Sequence, residues 1–457
     1  MNSKVTFRTL SLVGISILAA AWGTQPTHGQ MEFMSEAMYP EFFTRDLVVF
    51  SEGLNLEDDQ EVIVEAMFDS FSDDFEAGWA ATQERLNSIA NELRENKPTN
   101  DRDMLKPVLE ALGSWLDEKR SLDTGLLENV NTILIGEQLE LWPAFTQKLY
   151  REKHVNRGRI GGESTDLFQV VRDTDLSGTA EVTITPHLDE YAVAMDGAMR
   201  KRDSILRGNP KKLFESILDG DSSRSPDHIE ALIKARINVR DINDRYIDVI
   251  GSSLSSKDGK DFRARALERG YPRIYRRTPA QRILRQAAEN DSYDPEIHAL
   301  IMQLEYAYLG ELEILNYELL RLTRNHDPKR ERNRALAGQA RRGGGTPQKL
   351  EDPTRSLYKK REALGRRYIE MLRDLLSPEA FLELDGSRRW IPREEQTNAP
   401  AMPPAKPPRG PDGELRLQDN QHKESGKKNK TKGGSKPDSS GFGNSKDDRG
   451  SGISGGS

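Results

Sequence analysis

The chain has 457 residues, 31% of them charged, a formal net charge of −7 and no cysteine. Without cysteine there can be no disulfide, thiolate metal site, covalently attached haem or cysteine nucleophile, so stability must come from packing. The modest net charge hides a polarity: residues 31–130 hold 24 Asp and Glu against 8 Lys and Arg, whereas residues 321–361 hold 13 basic against 4 acidic residues.

Lys4 and Arg8 precede an apolar run from Leu10 to Trp22, followed by small and polar residues to Gly29, the order of a secretory signal. The run is too short and too early for a convincing membrane span. Residues 1–29 therefore read as a signal peptide, and the mature chain as exported, periplasmic or secreted, with no transmembrane segment.

Residues 30–154 read as a first helical module. Phe68, Phe71, Phe75, Trp79, Leu86 and Leu93 follow steps of three, four and seven along one helix face. A helix of about 40 residues starting near Glu57, opened by Asn55 with Asp58, would be roughly 60 Å long. Asp69, Asp73, Asp74 and Glu76 are its solvated side. A narrow apolar stripe on a long helix needs partners, which predicts antiparallel hairpins packed as bundles, coiled-coil contacts and a capacity for self-association.

Residues 155–185 read as a Gly-rich connector containing Gly158, Gly161 and Gly162, then a capped turn from Ser164 to Val171. The alternation Glu181-Val182-Thr183-Ile184 predicts a short strand or hairpin, making 158–184 a small irregular or β element. Asp173-Thr174-Asp175-Leu176-Ser177-Gly178 imitates half a calcium loop, but Ile184 stands where a bidentate Glu is needed, so a turn is expected.

Residues 186–289 read as a middle helical region and 290–390 as a second helical module. Starts are marked by Thr185-Pro186, Ser225-Pro226, Thr278-Pro279, Asp294-Pro295 and Ser377-Pro378, each pairing a capping side chain with a proline that needs no donor. Gln281 completes a capping box with Thr278. Pro272 stops one helix before Thr278 starts the next. Two apolar stripes follow, Ile301, Leu304, Tyr308, Leu312, Leu315, Leu319 and Leu322, then Leu357, Leu364, Tyr368, Leu372 and Leu375. Residues 54–154 and 290–386 share a plan of long helix, loop, return helix and closing turn, which makes them candidate repeats and the two modules related.

Between the last two stripes, Lys329, Arg330, Arg332, Arg334, Arg341 and Arg342 flank Gly343-Gly344-Gly345 in a basic loop, 325–352, the candidate polyanion-binding site. Residues 391–457 are rich in Pro, Gly, Ser and Lys and read as a disordered tail that cannot offset its ordering entropy by burial.

The sequence lacks the nucleophile elbow, the zinc-binding H-E-x-x-H, the phosphate loop and the dinucleotide fingerprint. No two histidines are spaced i, i+3 or i, i+4, so no helix presents a ready metal pair. The reading is a non-catalytic protein without cofactor or metal.

Leu56 with Gln60, Leu134 with Gln138, and Leu376-Ser377-Pro378-Glu379 each open a helix. In an exported, cysteine-free, helical chain these turns resemble the L-T-x-x-Q motifs of the Spy and CpxP group of periplasmic proteins. That resemblance implies helical hairpins that dimerise into cradles, with chaperone or envelope-stress roles. The expectation is an all-α, exported, non-catalytic protein of the cell envelope, interaction or chaperone-like. The alternative is a structural envelope component or a binder of anionic envelope polymers through the basic loop; an envelope protein or such a polymer, rather than nucleic acid, is the expected partner.

Overall fold

The computed structural model describes residues 37–96, 101–207, 226–342 and 350–391, and all regular structure among them is helical. The signal-like residues 1–29, Ser225 and the tail from 392 lie outside the described residues.

The first module comprises α1 (Leu47–Leu54), α2 (Asp58–Asn96), α3 (Asp101–Ile133) and α4 (Glu137–His154). The expected long helix is α2, 39 residues. It packs chiefly on α3, as a hairpin whose apolar stripe is buried and whose outer side is acidic, with eleven Asp and Glu against two Arg in α2. Asn55 sits in the left-handed region (φ 50) and closes α1 rather than opening α2. At the hairpin base Phe50 meets Phe68 and Phe145 edge-on, with centroids 5.2 and 4.9 Å apart. Each such buried ring contributes roughly 2–3 kcal/mol by leaving water. Further out, Trp115 seats against α2 at Gly78, where a Cβ would lie 2.4 Å from its ring.

The middle region contains α5 (Leu167–Thr174), α6 (Gly178–Arg207), α7 (Pro226–Ser253), α8 (Ser256–Gly270) and the single turn α9 (Pro272–Tyr275). Its core gathers Leu167, Val170, Tyr191, Met195, Met199, Val239, Ile250 and Phe262. The stretch Glu181–Ile184 is not a strand. Ser177 Oγ accepts from Ala180 N, starting α6 at Gly178, and the Thr183 and Thr185 hydroxyls bond carbonyls four residues back. Thr185-Pro186 therefore lies inside α6 instead of opening a helix. Four alternating residues fit a strand, but the cap before them sets a helical register that buries Ile184 and exposes Val182. The irregular part of the connector is confined to the turns before Leu167 and between α5 and α6. In the second turn Asp175 is a left-handed cap (φ 53), while Asp173 accepts from Gln169 at 2.8 Å and pairs with Arg269.

The second module holds α10 (Pro279–Ala288), α11 (Pro295–Arg342), α12 (Arg355–Leu375) and α13 (Pro378–Glu383). The capping box at Thr278 and Gln281 is formed, and Ser377 caps α13. Ile283, Leu284, Ile301, Tyr308, Tyr368, Leu372 and Phe381 make its core.

The basic segment is not a loop across 325–352. α11 continues for 48 residues to Arg342, carrying Lys329, Arg330, Arg332, Arg334, Arg341 and Arg342 on the helix; residues 343–349 lie outside the described residues. Pro328 would ordinarily break this helix, because it cannot donate to the carbonyl of Arg324. Arg240 Nη1, from α7, donates to that carbonyl at 2.8 Å and replaces the missing partner.

Candidate functional site

The loop between α4 and α5 is the electrostatic centre of the fold. Glu163 is fully buried, 2.9 Å from Arg236 and 3.2 Å from Arg202, and accepts from the backbone N–H groups of Arg159 (2.7 Å) and Ile160 (3.3 Å). A buried carboxylate is tolerable only when matched in this way. Gly162, at φ +83, lets the loop lie against α7 and α9: a Cβ there would meet Tyr271 Oη at 2.6 Å and Arg240 Cγ at 2.9 Å. Gly161 N donates to Asp327 Oδ2 (3.0 Å) and Asn243 Nδ2 to Gly162 O (2.8 Å), so one loop ties α7 and α11 together.

Beside this centre lies a cavity of about 420 Å³, lined by Glu41, Lys119, Asp123, Tyr150, Lys153 and His154 among others. His154 stacks on Tyr150 and stands between two carboxylates, with Nε2 3.1 Å from Glu41 Oε1 and Nδ1 3.1 Å from Asp203 Oδ2. Burial pulls the Glu41 carboxyl upward, but the His154 hydrogen bond and charge, backed by Arg157 and Lys119, hold it down at about 2. Burial raises Asp123 above the ordinary carboxylate range against the pull of Lys119. Opposed shifts of two carboxyls in one cavity resemble an acid–base arrangement. The cations lining the cavity, however, all have acid partners: Lys119 with Asp123 (2.8 Å), Lys153 with Asp46 (2.7 Å), Arg200 with Asp196 (2.8 Å) and Arg120 with Asp117 (3.3 Å). The first module is joined to α6 here by Tyr150 Oη donating to Asp203 Oδ2 at 2.8 Å, by His154 beside the same carboxylate and by Arg200 lying over the Tyr150 ring, so the cavity is a seam between them.

Of the six basic residues singled out in the sequence, Lys329, Arg330, Arg332 and Arg334 do not form one open cluster. Lys329 is exposed, but Arg330 pairs with Asp327 (3.1 Å), Arg334 with Glu331 (3.5 Å), and Arg332 forks onto Glu230 of α7. Three of these four cations already have carboxylate partners, and Arg332 anchors α11 to α7. Arg341 and Arg342 end the helix.

The feature that stands open is the outer face of α11. Its inner face buries Ile301, Leu304, Tyr308, Leu312 and Leu319. On the opposite side, half a turn away, Met302 (52% exposed), Tyr306 (82%), Ile314 (64%) and Tyr317 (67%) form a second stripe, with Gly310 at its midpoint and open space where a Cβ would stand. A helix apolar on two sides is ordinarily covered on both. Steps of four, eight and three place these residues on one face, so the stripe was readable in the sequence, where the stronger inner stripe obscured it.

No family model matches the chain, and no curated protein or solved structure matches it either.

Proposed function

We propose that the mature chain is an exported, non-catalytic interaction protein of the cell envelope, chaperone-like in that apolar segments of other polypeptides dock on the outer face of α11. The observation that carries this reading is the second apolar stripe, Met302, Tyr306, Ile314 and Tyr317, left bare on a helix whose other side is already packed. Exposed apolar residues grouped along one element mark sites of association. The signal-like order of residues 1–29 supports export, and the resemblance of the Gln60 and Gln138 turns to the Spy and CpxP motifs supports the chaperone-like role.

The test is aggregation of a chemically denatured client, followed by light scattering at low and moderate salt, with the wild-type chain and the double variant Tyr306→Glu/Ile314→Glu. Both positions are exposed, so the variant should keep its helical circular dichroism. The expected result is suppression that persists in salt and is lost in the variant. No suppression at either salt, or equal suppression by the variant, would overturn the reading.

A further inference from the structure

A cleft of about 670 Å³ opens where α12 crosses the start of α10 beside the terminal turn Ser387–Trp390. Its walls carry Arg361, Arg366 and Arg389 together with Tyr308, Tyr358 and Trp390. The crossing is close because of Gly365, where a Cβ would lie 3.1 Å from that of Ala280. Below it, Thr278 Oγ1 and Tyr308 Oη are 2.6 Å apart, and the same Thr278 oxygen caps α10, so the floor of the cleft is fixed.

The charges here are not balanced as they are at Glu163. Among the described residues, Arg361 donates to the backbone carbonyls of Arg273 (3.2 Å) and Arg276 (3.5 Å). Arg389 lies over the Trp390 ring, 5.2 Å from its centroid. Neither has an ion-pair partner among the described residues; of the three arginines only Arg366 has one, Glu362 at 3.6 Å, with Glu370 the other acid on the rim. Desolvation lowers the guanidinium pKa of both Arg361 and Arg389, with repulsion from Arg282 adding to the second. A third donor, Trp390 Nε1, is buried and has no hydrogen-bond acceptor.

Two guanidinium groups without a carboxylate partner and an indole N–H without an acceptor, beside aromatic faces in a cleft of ligand size, specify the chemistry of an occupant. Guanidinium groups bind phosphate through paired, charge-assisted hydrogen bonds, and a flat group can lie on the neighbouring rings. We propose that this cleft binds a small phosphate ester whose anion sits against Arg361 and Arg389 and whose flat apolar part packs on Tyr358 and Trp390. The cleft lies at the α10–α12 crossing, away from the outer stripe of α11, so the site stands independently of the docking role.

Isothermal titration of the full mature chain with phenyl phosphate, and separately with inorganic phosphate, tests it. Phenyl phosphate should bind the more tightly. Arg361→Ala and, as an exposed position that folding tolerates, Arg389→Ala should each weaken both probes by about tenfold. Trp390→Leu should weaken phenyl phosphate by a larger factor than inorganic phosphate, a split that general loss of structure would not produce. Absence of heat for both probes, or equal affinity in wild type and Arg389→Ala, would overturn the proposal.

Discussion

Gln60 and Gln138, 78 residues apart in the chain, exchange side-chain amide hydrogen bonds of 2.9 and 2.7 Å in a buried position. Each amide is used fully. Gln60 Oε1 also accepts from Glu57 N and its Nε2 donates to Ile133 O; Gln138 Oε1 accepts from Ile135 N and its Nε2 donates to Asn55 O. The pair therefore caps the starts of α2 and α4, engages the end of α3, and joins all three at the hairpin base. Replacing either glutamine by alanine strands buried partners and should cost about 1–3 kcal/mol. The double variant should cost clearly less than the sum of the two singles, because the orphaned partner is removed too. A double-mutant cycle by urea denaturation measures this; simple additivity would show that the exchange carries no coupling.

Arg240 and Pro328 are coupled in the same sense. Arg240→Leu leaves the Arg324 carbonyl unpaired beside a proline that cannot donate, and should cost about 1–3 kcal/mol. Adding Pro328→Ala supplies an amide donor to that carbonyl and should recover part of the loss. Thermal denaturation of the single and double variants decides it; a double variant no more stable than Arg240→Leu would mean that the guanidinium matters only through Asp241 and Asp244.

Acid should weaken the packing around His154. The Glu41 carboxyl is held at about 2 in the fold against an ordinary value of 4.5, and Asp203 is also held low, by His154 and Arg202 against the upward pull of burial. A carboxyl with a lowered folded pKa contributes stability above its unfolded pKa and loses it as pH falls through the folded value. For Glu41 the window is pH 4.5 down to about 2, and the contribution is on the order of 3 kcal/mol. Glu41→Gln should be less stable at neutral pH and show a flatter stability curve through that window. Parallel curves would show that Glu41 is not responsible.

Glu163→Gln should be the most damaging conservative change in the connector. It leaves Arg202 and Arg236 buried with one charge fewer between them, a loss of about 3–5 kcal/mol. Calorimetry of the full chain reads it as a lowered Tm; a shift no larger than that of an exposed substitution would mean that the two arginines rearrange onto Asp203 and the backbone carbonyls of His154 and Arg157.

Much of this molecule was legible in local chemistry. The caps at Thr278 and Ser377, the 39-residue α2 and the inner stripe of α11 follow from spacings of three and four residues, which a helix reads without help from the rest of the chain. Where local signals competed, the nearest cap won: Ser177 made Glu181–Ile184 helical although its alternation also suits a strand. Pro328, inside the segment read as a loop, lies within α11, where Arg240 from across the fold supplies the donor that the proline lacks.

Sequence by itself determined the helical character, the starts of α7, α10, α11 and α13 and the acidic and basic halves, because caps and helix periodicity depend on neighbours within about four residues. Tertiary structure alone decided that Gln60 meets Gln138, that Arg324, Arg330, Arg332 and Arg334 on α11 find carboxylates, and that Arg361 and Arg389 share a cleft without one among the described residues. Those outcomes depend on how long helices cross, and a crossing is set by side-chain packing between residues far apart in the chain.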